Sequence, residues 1–234
     1  MSLLRSIMFT SVLVGFIVGA AVSAVQFLGT SQLILKAEVY ETAADAGAAA
    51  PHDHGTAVAH EHEDEAWEPA DGFERDAYTL AANILTAIGY ALVLTGFMAL
   101  RGRPVGWREG LLWGFAGFAC VMLAPMLGLP PELPGTPAAP LAVRQLWWIG
   151  TVSATAIGLA LLAFMRRPWT VVAAIVLIGA PHLIGAPTPT AGQEALAPDS
   201  LERQFVAAAV LTSLVFWLLL GALSGPIMRR LEVE

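Results

Sequence analysis

Cysteine occurs once in this chain, at Cys120, and lysine once, at Lys36. A lone cysteine inside an apolar run excludes an intrachain disulfide framework. With so little lysine and no basic stripe, nothing reads as a nucleic-acid surface. Charge of any kind is scarce: 13% of the 234 residues are charged, against about 25% in a typical soluble domain. The phosphate-cradling G-x-x-x-x-G-K-[ST] loop is absent, which excludes that route to ATP. H-E-x-x-H and G-x-S-x-G are absent too, and "HEHE" has the wrong histidine spacing for a helical zinc protease. No convergent set of acid, base and nucleophile can be assembled, so the sequence reads as a non-enzyme.

What the chain has is apolar length. Hydrophobic residues make up 56% of it, and the mean hydropathy is +0.66. Several stretches exceed the roughly 18 apolar residues that span a bilayer. The expected fold is therefore all-α: one membrane domain, residues 1–234, of about six transmembrane helices. These are placed near 5–30, 76–100, 107–129, 143–165, 168–186 and 203–228. The first apolar run, Ile7 to Leu28, is longer than the usual 7–15 residue core of a signal peptide and reads as a retained helix.

The basic residues set the orientation. Arg5, Arg101, Arg103, Arg108, Arg166, Arg167, Arg229 and Arg230 fall at one end of the spans, and Lys36, Arg75, Arg144 and Arg203 at the other. The positive-inside rule places the first group, and both termini, in the cytoplasm. All acids except Glu109, Glu232 and Glu234 then lie outside. The outer loops include a long acidic one at 36–75, "GLPPELPGTPAAP" and "GAPTPTAGQEALAPDS"; proline and glycine exclude regular helix over much of their length.

The returning helices begin alike, "FERDAY", "AVRQLW" and "LERQFV", and end at "RGR", "RR" and "RR". Outgoing helices 3 and 5 end alike, at "LAPMLGLPP" and "GAPHLIGAP". Three sequential helical hairpins are expected, and transporter substrate sites tend to sit at repeat interfaces.

The loop "PHDHGTAVAHEHEDEAWE" carries His52, His54, His60 and His62 among carboxylates. Imidazole with carboxylate suits borderline divalent ions. It reads as a flexible metal collector; the alternative is a solvated acidic linker. Pro125 and Pro181 each remove a backbone donor within a span and free the carbonyls of Val121 and Leu177. His182 follows the second proline, and an imidazole near a span is a candidate functional group. Gln26 is its weaker counterpart in helix 1. Met122, Met126 and Cys120 offer soft sulfur, with packing the commoner role for such methionines. Glu38, Glu41, Glu132 and Glu194 stand in the outer segments, where Arg75, Arg144 and Arg203 could pair with them. The candidate metal-handling residues are thus His52, His54, His60, His62, Glu38, Glu132 and His182, with Glu132 and His182 placed together at the outer mouth.

The set "LKAEVYE", "APMLGLPPELPG", "RQLWW" and "GAPHLIGAP" resembles the predicted cobalt transporter subunit family CbtA over nearly the whole chain. The resemblance implies a bacterial inner-membrane protein taking up divalent cobalt as cargo, in cobalamin-related metal supply, with no tightly bound cofactor. It also implies a small single-span, histidine-bearing partner, CbtB. Glu38, Glu41, Glu132, Arg144, Gln145, Trp147, Trp148, Pro181 and His182 fall on its motif positions; which of them touch metal does not follow. The expected partners are membrane lipid, the divalent ion and that small subunit; a homo-oligomer is compatible with the sequence. Competing readings are a membrane-embedded metal-dependent enzyme and a metal-sensing or scaffold subunit.

Overall fold

The computed structural model describes residues 3–48, 69–165, 167–189 and 195–233. The histidines of the acidic loop, Arg166 and Glu194 lie outside them. The described residues are all-helical. Helix α1 is Leu3–Leu28 and α2 is Thr30–Ala48; α3 is Phe73–Leu100. Helix α4, Trp107–Met126, contains a π-helical turn at Ala119–Leu123. Then come α5, Leu141–Phe164, α6, Pro168–Ile184, and α7, Asp199–Val233.

Five of these helices (α1, α3, α4, α5 and α7) are long and apolar enough to cross a bilayer. The sixth apolar helix, α6, has 17 residues, which at 1.5 Å per residue gives about 26 Å. That approaches the ~30 Å hydrocarbon core. Helix α6 lies antiparallel on α5: Gly158 meets Ala174 and Ile178, and Trp147 meets Pro181 and His182. Chain order therefore carries it back to the end where α7 begins, and the path makes six passes. Large side chains such as Phe16, Leu112, Ile149 and Ile175 are exposed, as a lipid-facing surface requires.

One expectation is revised. The sequence predicts a loop from Lys36, yet helix continues to Ala48. Its charge made it look like linker, but "LILKAEVYETAADAGA" is rich in alanine, leucine and glutamate, which favour helix. The break from α1 is confined to Gly29, whose N–H turns back to Gln26 O at 3.1 Å.

Helix pairing is set by small residues, because lipid tails are as apolar as leucine and give helices no hydrophobic reason to associate. Gly15 and Gly19 of α1 press on the backbone of Ile88 and Ile84 in α3; an added Cβ would come within 2.6 Å and 2.5 Å of their Cα atoms. Gly110 of α4 and Gly221 of α7 meet just as closely, a Cβ on Gly110 lying 2.1 Å from the Gly221 carbonyl oxygen. The hairpins follow one another in chain order, but packing follows a different pairing. Helix α4 packs chiefly on α7 and reaches α5 mainly near its π turn, while α5 packs on α6. The buried core, including Val14, Val18, Met98, Trp217 and Leu220, joins α1, α3 and α7.

Candidate metal-handling site at the acidic end

The end of the bundle where α3, α5 and α7 begin is held by ion pairs and a second apolar cluster. Ala37 of α2, Leu133 of the 127–140 loop, and Ala197 and Phe205 at the start of α7 are buried together. Gly135 has a φ of 73°, a left-handed conformation that glycine adopts without strain. Its carbonyl accepts the Leu196 N–H at 3.3 Å, tying the loops before α5 and α7 together. Leu133 is thereby fixed, and with it the neighbouring Glu132.

Glu132 accepts from the Arg144 guanidinium in the first turn of α5. Glu38 accepts from Arg75 through both carboxylate oxygens, and Arg75 reaches Asp71 at 3.3 Å as well. Both pairs join an acid to the arginine in the first turn of the helix that follows it in the chain. The corresponding acid for Arg203, Glu194, is outside the described residues.

Trp147 lies one turn along α5 from Arg144. Its indole N–H donates to the Pro181 carbonyl at 3.3 Å, and its ring stands edge-on to His182 with centroids 6.0 Å apart. The same ring abuts Gly128, where a Cβ would approach it to 2.7 Å and Ala186 to 2.7 Å. The ends of α4 and α6 thus converge on one face of α5. Glu132 is joined to this face through Arg144 and His182 through Trp147. His182 itself is half-buried. The Thr136 hydroxyl, in the same loop as Glu132, is buried without a partner among the described residues.

Pro125 acts through the π turn before it. The Ala124 N–H reaches back five residues to the Ala119 carbonyl, so the ladder is re-registered upstream of the residue that lacks a donor. Such π turns recur at functional sites. Met122 packs against the central core, the structural role for that methionine.

One polar bridge between helices has only a faint signal in the sequence. Asn83 of α3 donates to Gln26 Oε1 at 2.6 Å and to Ser23 Oγ at 2.9 Å in α1. An amide inside "LAANILTA" was the available signal. Pro226 lies inside α7. Among the described residues no three His, Cys, Asp or Glu side chains form a group that could hold a metal ion.

A bundle of repeated apolar helices, with carboxylates and an imidazole toward one end, is that of a polytopic membrane protein. The family model described as probable cobalt transporter subunit (CbtA) matches residues 4–229, and the chain belongs to that family. No curated protein and no solved structure matches it.

Proposed function

We propose that this chain is the membrane-embedded subunit of a cobalt uptake system in the bacterial inner membrane, with both termini cytoplasmic. The observation that carries the reading is the match to the cobalt transporter subunit family over residues 4–229. The arginine asymmetry supports the orientation. The word subunit in the family's description supports a partner, which we take to be the small single-span protein.

In this reading His52, His54, His60 and His62 enrich divalent ions near the acidic end without stripping their water. The narrow step falls to Glu132 and His182, which flank the Arg144–Trp147 face of α5. A cation arriving there must displace the Arg144 guanidinium from Glu132. That exchange keeps binding weak, and an ion that must leave again requires weak, mixed ligation. Glu38 has both oxygens committed to Arg75, and a metal ion would have to compete with that pairing to use it as a ligand.

The test is cobalt accumulation in cells whose only route for the metal is this chain with its partner. Accumulation should appear when both are expressed and fall when a protonophore collapses the membrane potential. Accumulation no greater than in cells lacking the chain would overturn the proposal.

A further inference from the structure

Helices α3 and α5 make no extended contact with each other, yet both line one groove together with α4. Between them lies a groove of about 560 Å³, floored by Gly117 and Cys120 of α4 and Trp217 of α7. The α4 π turn, in contact with α5, lines it toward the acidic end through Cys120 and Val121. Trp113 and Phe164, with ring centroids 6.3 Å apart, narrow it at the other. Its lining is almost wholly apolar except at the basic end, where Arg101 and Glu109 form an ion pair.

We propose that this groove seats one acyl chain of an anionic phospholipid, whose phosphate is held by the arginine turn between α3 and α4. Length and volume choose the occupant. The α5 wall from Trp148 to Phe164 runs about 24 Å at 1.5 Å per residue, long enough to hold one acyl chain over the ~15 Å depth of a leaflet. A groove of 560 Å³ lies within the ~300–1,000 Å³ range of small-ligand sites.

Charge chooses the headgroup. Glu109 answers Arg101, but the same turn carries two further cations. Arg103 is exposed, and the exposed Arg108 stacks on Trp107 at 5.2 Å. Arg167 is exposed at the start of α6, on the neighbouring turn. Basic pockets between transmembrane helices bind anionic headgroups, each arginine near the surface contributing about 1 kcal/mol.

Native mass spectrometry of the delipidated full chain, exchanged into equal phosphatidylglycerol and phosphatidylcholine, tests this. One phosphatidylglycerol per chain should be retained, preferred by about tenfold or more. Arg103→Gln with Arg108→Gln should bring that preference close to unity. Ala160→Trp, which fills the groove from α5, should abolish retention of either lipid. Equal retention of the two lipids by the unsubstituted chain would overturn the proposal whatever the variants do. So would unchanged lipid retention in a folded Ala160→Trp chain, or a co-purifying polypeptide in place of lipid.

Discussion

At the scale of single residues, the acidic end turns on what Arg144 does to Glu132. Two accounts make opposite demands. If Glu132 is a cobalt ligand, Arg144 competes with the metal for it. Glu132→Gln should then weaken cobalt binding about tenfold, roughly 1.4 kcal/mol, while Arg144→Gln should leave binding as tight or tighter. If the pair is only a strut for the loop, both substitutions should lower thermal stability to a similar degree and leave cobalt affinity alone. Cobalt titration of the detergent-solubilised variants, with melting followed in parallel, separates the two. His182→Gln should weaken binding without preventing membrane insertion. Part of this site was legible in the sequence. The repeated arginine at the start of each returning helix, facing an acid in the preceding outer segment, is enough to suggest Arg75–Glu38 and Arg144–Glu132. The placement of Trp147 between Pro181, His182 and Gly128 was not legible. It depends on which way α5 rotates once α6 packs on it, and residue type does not set that rotation. The histidine loop was the strongest chemical signal in the sequence and lies outside the described residues.

At the scale of helices, the spans were readable because the bilayer imposes a length and an apolar composition on each one. Their partners were not, since hydropathy is the same toward lipid as toward another apolar helix. Only the spacing of small residues carries that information. Gly15 and Gly19 mark the α1 face that meets α3; Gly110 and Gly114 mark the α4 face that meets α7. Helix α2 is hidden for a different reason: its charged residues resemble a linker, although their helix propensity is high. Magnitudes rank the two devices joining α1 to α3. Interhelical hydrogen bonds in membranes average about 0.6 kcal/mol each, so Asn83→Leu, which severs the bonds to Gln26 and Ser23, should cost about 1.2 kcal/mol. Overpacking typically costs about 1–3 kcal/mol, and at Gly15 the obstacle is the backbone of Ile88, which cannot swing aside. Gly15→Leu should therefore be the more damaging substitution, and reversible unfolding in mixed detergent micelles will show the order. Equal effects would mean that the glycine contact is looser than described.

At the scale of the whole molecule, the fold resolves into an acidic end and a basic end joined by six passes. Both the direction of transport and the use of membrane potential depend on which end faces outward. With Cys120 replaced by alanine, single cysteines at Lys36 and Thr188 should react with an impermeant maleimide added to intact cells. One at Arg103 should react only after permeabilisation. The reverse pattern would invert the topology and with it the direction of cation movement. For a divalent ion, an inside-negative potential of 100 mV supplies about 4.6 kcal/mol, enough to drive entry without nucleotide hydrolysis. The most direct measurement is therefore radiolabelled cobalt flux into proteoliposomes holding the purified chain and its single-span partner, under an imposed potassium diffusion potential. The expected result is accumulation that depends on the potential and is reduced at scarce cobalt by Glu132→Gln. Flux indistinguishable from that of protein-free vesicles, with both proteins present and folded, would contradict the account.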